Sequence, residues 1–301
     1  MEHACRQNIF ATVFFLDIFT AQKIKKMKFL KLIIAVAFLP VFVTAQTIKL
    51  NLVKDTKYEV TTVTKTSSVA TVMGQEMESN SDFSIVETIT VKDTRVAETD
   101  LVSVINKMTA NIQAMGQETV YDSDKKDNTG AMTESFDKMI GKVKNMTVDA
   151  NGKIIKQDKS EEESSAATMM GVSGDGTPLI NKMFISRDIK PGTTWYDSTT
   201  TKGDKMTTFT GGDYTIQAVN AGIATIVFKG ITNLSGTMEQ MGMEMIMNSS
   251  SKVSSQIEVE IATGVIKKNT TTSDGTMSIE AAGMSIPATT KTTATVSTRQ
   301  L

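Results

Sequence analysis

Alternation of apolar and polar side chains is the feature that most limits what this chain can fold into. Phe83-Ser-Ile-Val-Glu-Thr-Ile-Thr-Val and Ile257-Glu-Val-Glu-Ile alternate with a period of about two, and Tyr58-Glu-Val-Thr-Thr-Val-Thr-Lys does so imperfectly. A period of two places successive side chains on opposite faces of a strand, one buried and one wet. That is the pattern of antiparallel sheet. Composition reinforces it. Thr and Ser supply 65 of residues 46–301, Thr alone 41, and the whole chain has four Pro. Thr is β-branched and suits half-exposed strand positions.

Turn signals recur between these runs. Val72-Met73-Gly74-Gln75-Glu76 and Ala114-Met115-Gly116-Gln117-Glu118 share Met-Gly-Gln-Glu, with looser copies around Gly242 and Gly283. Each Gly stands between two strand-like runs, as a hairpin tip does. Return turns fit Lys92-Asp93-Thr94 and Ala262-Thr263-Gly264. The spacing predicts two related β-meanders, about 47–123 and 205–300, joined by a segment 124–204 of different character.

In that segment Phe136, Met139, Ile140 and Val143 recur at helical spacing behind Thr133. Asp149-Ala150-Asn151-Gly152 is a hairpin signal. Ser160–Ala167, with Glu161–Glu163, reads as an exposed linker or a frayed helix. Thr177–Ile185, with Pro178 early, predicts a second short helix. Asp188 to Trp195 is a Pro-Gly turn leading into a strand that holds the single Trp. The expected fold is mainly β: a long-stranded antiparallel curved sheet or half-barrel from two related meanders, with two short central helices.

The first 45 residues follow different rules. Met27-Lys-Phe-Leu-Lys, the apolar run Leu32–Val43 and the small-residue end Val43-Thr44-Ala45 make a signal peptide. The run falls short of the roughly 20 apolar residues a transmembrane helix needs. Cleavage is expected after Ala45, with Met27 as the start and 1–26 as an upstream extension. Gln46 follows the cut where a lipid anchor needs Cys. The expectation is a periplasmic or secreted protein, not lipid-anchored, comprising one β-rich domain over 46–301.

Export removes much chemistry. The single His3 and single Cys5 both lie in the leader. Residues 46–301 therefore lack disulfides, thiolate nucleophiles, Cys/His zinc sites and His-based acid–base catalysis. With 6 Lys/Arg and 2 Asp/Glu inside 1–45, the remainder holds 26 basic and 31 acidic residues, a net charge near -5. That balance argues against nucleic acid and anionic membrane surfaces. No nucleophile elbow, phosphate loop or dinucleotide fingerprint occurs. The acidic stretch from Asp122 to Gly130 departs from a calcium loop by placing Lys126 fifth and Thr133 twelfth. A non-enzymatic role without a cofactor is expected.

Gly141-Lys142-Val143, Asp149-Ala150-Asn151-Gly152-Lys153 and Pro191-Gly192-Thr193-Thr194-Trp195 occur in this order. In that order the chain resembles an uncharacterised family of exported, Thr-rich β proteins of Gram-negative bacteria. The resemblance implies fold and export, and no mechanism. A looser likeness, of architecture alone, is to periplasmic lipoprotein-carrier half-barrels.

The sharpest local feature is Met238, Met241, Met243, Met245 and Met247. Thioether sulfur is a soft donor suited to Cu(I). The last four stand at strict period two on one strand, successive side chains about 6.6 Å apart, so one strand cannot wrap three around an ion. The favoured expectation is an apolar face, core or ligand-facing, with Trp195 anchoring the second half against the helices. Eighteen Met within 46–301, with few aromatics, fit an adaptable surface that could hold a lipid or other amphiphile. The function expected is a non-catalytic binding protein of the cell envelope. The alternatives are a structural protein that contacts another envelope protein and a Met-based soft-metal protein.

Overall fold

A computed structural model describes residues 47–301 apart from 115, 129–131, 159–176, 182–183, 186–187, 204, 241–242 and 282–283; the side chains of 238–240, 243–244 and 281 are also outside it. The elements, in chain order, are β1 (Lys57–Val72), β2 (Gln75–Thr94), β3 (Glu98–Ala114), β4 (Gln117–Asp122), α1 (Thr133–Asp137), β5 (Val143–Asp149), β6 (Ile154–Gln157), β7 (Thr194–Lys202), β8 (Met206–Asn220), β9 (Ile223–Gln240), β10 (Met243–Glu260), β11 (Ile266–Ala281) and β12 (Met284–Gln300). They form one open antiparallel sheet of 12 strands, ordered β6-β5-β3-β2-β1-β12-β11-β10-β9-β8-β7, with β4 paired to β3. The strands from β7 to β12 run as an unbroken meander, and β12 returns to pair with β1 from Tyr58↔Gln300 to Ala70↔Ala288.

Tight turns set the register. Val72 pairs Gln75, so Met73 (φ 50°) and Gly74 (φ 79°) are the two turn residues. Two positive φ values in succession give a turn whose twist matches the strands, and Gly takes the second position without steric cost. Gly116 (φ 73°) and Gly152 (φ 77°) likewise take positive φ at their turns. Gly242 and Gly283 lie outside the described residues, between the pairs Gln240↔Met243 and Ala281↔Met284. The return turn expected at 92–94 is displaced, because β2 continues to Thr94 through an irregular register at Val91/Asp93. Asn220-Ala221-Gly222, a turn the sequence reading passes over, connects β8 and β9 with Ala221 and Gly222 both at positive φ.

The buried residues gather at the end of the sheet that holds the turns 95–97, 221–222 and 261–265. Three clusters occupy one face there. Ile216, Ile226, Ile257, Val259 and Ile266 are covered by Ile48, Phe184, Ile185 and Ile189. Val60, Ile89, Val91, Leu101 and Val148 are covered by Leu52, Leu179 and Ile180. Phe83, Met108 and Tyr121 are covered by Phe136 and Met139 from the α1 region.

Two expectations fail here. The first helix stops after five residues, at Asp137, because Ile140 bridges Ile105 and Gly141 (φ 72°) donates its N–H to the Ile105 carbonyl at 2.8 Å. The second helix, expected over Thr177–Ile185, does not form among the described residues of that range. Leu179 and Ile180 fill one cluster, Phe184 and Ile185 another, and the Leu179 carbonyl accepts the Ile266 N–H at 2.9 Å. Apolar residues at helical spacing thus serve two separate cores, and bonds to the sheet replace those of a helix.

At β8 and β9 the sheet brings two glycines together. Gly212 pairs Gly230, and a Cβ on Gly212 would meet the Lys229 carbonyl oxygen at 2.4 Å and Gly230 Cα at 2.5 Å. The Phe228 ring covers both, with its edge 2.5–2.8 Å from the two missing Cβ positions. Only residues without Cβ permit so close an approach. Gly212→Ala is expected to cost about 1–3 kcal/mol in urea-induced unfolding. Gly203→Ala, where a Cβ would meet nothing closer than the Met206 carbonyl oxygen at 3.5 Å, should stay within about 0.5 kcal/mol of the parent.

Candidate functional site

The core face changes character along the strands. Directly paired residues share a face, so each row across the sheet can be followed through its pairs. At the buried end one row runs Tyr214, Phe228, Ser255, Thr271 and Ala294. Two steps further it becomes Thr210, Thr232, Ser251, Gly275, Thr290, Ser68 and Ser79. Hydroxyls bond across this belt, Thr210 to Thr232 and Thr66 to Thr292, each at 3.0 Å. Nearer the tips the face turns apolar again. One row carries Leu234, Met277, Ala288, Ala70 and Met77, and the next Met206, Gly236, Met247, Ile279 and Ile286.

This outer apolar patch differs from the core in one respect. Every cluster at the buried end has chain packed over it, whereas none of the three clusters includes a patch residue. Met206, Leu234, Met245, Met247, Met277, Ile279 and Ile286 are half-buried, screened by one another on the sheet; Ala288 alone of the patch is buried. At the adjoining tip Met73 is 87% exposed despite its positive φ. A non-Gly residue in that conformation is strained, and a large exposed apolar one contributes nothing to the core.

The expected residues fall out as follows. Met245 and Met247 share the core face with Ile257 and Val259, as period two required. Met243 pairs Gln240 through its backbone, and its side chain is outside the described residues, as is the whole of Met241. Trp195 lies elsewhere. It stacks on Tyr214 at 5.4 Å with 13° between the rings, beside Phe184 and Phe228, which also contact Tyr214. Its row meets β10 at Ser255, ten residues from Met245, or about 33 Å along the strand. Trp195 therefore belongs to the packed end and anchors it against an irregular segment, where the sequence reading expected a helix. Met206, Met277, Ile279, Ile286 and Met77, which complete the patch, were not singled out. Cross-strand register, which a single sequence does not display, brings them there.

The opposite face is wet. Between β9 and β12 it holds a shallow depression of ≈ 550 Å³ whose lining includes Lys229, Lys252, Asp274 and Lys291. Asp274 and Lys291 form an ion pair at 4.0 Å, both largely exposed, a geometry that contributes little energy. The acidic stretch after Tyr121 is held by Asn128, whose side chain accepts the Asp122 N–H and donates to the Asp122 and Lys125 carbonyls. Among the described residues no group of three acidic, His or Cys side chains could hold a metal ion.

Titratable groups on the core face are few and structural. The Tyr121 hydroxyl donates to Asp137 at 2.8 Å, fixing α1 to the sheet, and burial pushes its pKa up. Burial, with Asp197 nearby, pushes Tyr214 up to about 12. Glu87 projects between two clusters and accepts a 2.5 Å hydrogen bond from the buried Ser103 hydroxyl. Burial raises its pKa, opposed by that bond and by the Lys144 charge. A buried serine that donates to a carboxylate is a packing device and offers no open nucleophile.

No family model matches the chain, and no curated protein matches it. Among solved structures it is similar to lipovitellin, at 9% identity and a TM-score of 0.46, over 81% of this chain and 25% of that one. It is also similar to an outer-membrane channel from Pseudomonas putida F1, at 8% identity and a TM-score of 0.33, over 83% and 97% of the two chains. A third likeness is to the translocator domain of the autotransporter NalP from Neisseria meningitidis, at 8% identity and a TM-score of 0.21, over 82% and 90%. The chain spans about a quarter of the lipovitellin length.

Because the folded pKa of Glu87 is raised, its contribution to stability is fully present below the usual glutamate range and is lost as pH rises through the folded value. Glu87→Gln should remove that loss. The variant is expected to exceed the parent in urea midpoint at pH 8, with the gain shrinking towards pH 4.

Proposed function

We propose that this chain is an exported, non-catalytic binding protein of the cell envelope that holds an apolar or amphiphilic ligand on the Met-rich half of its core face. In this reading the sheet curves as a half-barrel, its two meanders are related halves, and residues 27–45 direct export to the periplasm or beyond without a lipid anchor. One observation supports it above the rest. The face that is packed at one end of the strands continues to an apolar patch at the other, with none of the three buried clusters extending over it.

The chemistry of the patch fits an adaptable ligand. Met side chains are flexible and polarizable and conform to varied apolar shapes. The belt of Thr and Ser hydroxyls beside the patch offers donors and acceptors to a polar headgroup. Burying one acyl chain gains roughly 0.8 kcal/mol per CH₂, so a chain of ordinary length supplies useful affinity from the patch alone. Among the described residues no helix is long and apolar enough to cross a membrane. A second reading, contact with an envelope protein, draws on β7, the end strand of the sheet among the described residues; end strands accept an added strand.

The test is native mass spectrometry of protein purified from an exporting host without detergent, followed by displacement of a fluorescent fatty acid. A discrete extra mass released by organic extraction is expected, and Met247→Asp should lose both that mass and the probe. A clean apo mass together with no probe binding would overturn the proposal and transfer it to the β7 edge.

A further inference from the structure

Gly236 lies at the centre of the methionines. In the row across the sheet it separates Met206 on β8 from Met247 on β10, pairing with both. Met238 follows two residues along β9, and Met245 is Met238's partner. Neighbouring strands are about 4.8 Å apart and successive residues on one face about 6.6 Å. Among the described side chains, Met206, Met245 and Met247 therefore stand on one face around a residue that has no side chain. The position demands glycine, because a Cβ there would meet the Lys205 carbonyl oxygen at 2.2 Å and Met206 Cα at 2.8 Å. The Met206 sulfur already leans over the gap, 2.7 Å from where that Cβ would stand.

The objection that one strand cannot wrap three thioethers around an ion does not hold for this arrangement. Met206 and Met247 approach from opposite sides across about 9.6 Å of backbone, twice the strand spacing. Each side chain spans a large part of that gap, and the Met206 sulfur is already partway across it. Met245 stands two residues from Met247 on the same face of β10. The bare glycine beneath leaves room for an ion. Half-burial of Met206, Met245 and Met247 leaves the ring open to solvent on one side. No His, Cys or Asp/Glu cluster competes for the ion among the described residues. An all-thioether donor set is uncharged and soft, which excludes Zn²⁺, Ca²⁺ and Mg²⁺ and selects Cu(I) or its redox-inert analogue Ag(I).

We propose that Met206, Met245 and Met247, arrayed over Gly236, form a binding site for a soft monovalent metal ion, with Cu(I) as its ligand. No electron transfer is involved, since the ion enters and leaves as Cu(I). The site is independent of the apolar-ligand reading, although the two share residues. Met→Leu keeps volume and apolar character and removes the donor sulfur, so it separates them.

The experiment is anaerobic titration of the purified protein with Cu(I) against a chromophoric chelator, repeated with Ag(I) by calorimetry. One equivalent of each ion is expected to bind. M206L and M247L should each weaken metal binding at least tenfold. M77L, on the same face away from Gly236, should leave metal affinity unchanged. X-ray absorption of the Cu(I) form should show sulfur alone in the first shell. Absence of stoichiometric binding, unchanged affinity in the M206L/M247L double variant, or equal loss in M77L would each overturn the proposal.

Discussion

The hydrogen-bonded seam between β1 and β12 is the interaction on which the rest of the molecule depends. It joins strands that are more than 200 residues apart in sequence, with Arg299 paired to Glu59 at 2.8 Å and the Leu301 N–H bonded to the Lys57 carbonyl at 2.9 Å. Without it the chain would be two separate sheets, each with a further open edge. With it, Ile48, Leu52, Leu179, Ile180, Phe184, Ile185 and Ile189 have one continuous face to cover. Leu50 packs against both major clusters and is a point where the two meanders share a core.

Contacts of that sequence separation are entropically costly to form, and sheets built from them fold slowly. The turns offset part of this cost. Two-residue connections such as Met73-Gly74 and Ala221-Gly222 fix register locally, so each hairpin can assemble before the seam closes.

Much of the strand pattern was legible because alternation is a local property. Ile257, Val259, Phe83 and Ile85 read as one face and are one face. Gly74, Gly116 and Gly152 read as turns and have the positive φ that turns require. The misreadings have a common cause. Leu179, Ile180, Phe184 and Ile185 are apolar at helical spacing because they answer to two clusters on a distant sheet. Nothing local distinguishes that demand from an amphipathic helix. The candidate site was half legible for the same reason. Met245 and Met247 declare a common face within one strand, but Met206, Met277 and Ile286 reach them only through register. Trp195 is the single Trp, and its stacking on Tyr214 places it with the packed end.

The belt of Thr and Ser between the two apolar zones has a mechanical meaning. A layer packed on both sides resists bending because interdigitated side chains must be separated. Among the described residues the belt is a single layer joined by backbone bonds and hydroxyl pairs such as Thr66–Thr292, with no second layer to shear against. The belt is thus a compliant zone between a rigid base and a surface patch. Bending of the sheet there is opposed by backbone pairing and those hydroxyl bonds, while the clusters at the other end add packed side chains. The molecule is stiffest where it stores its stability.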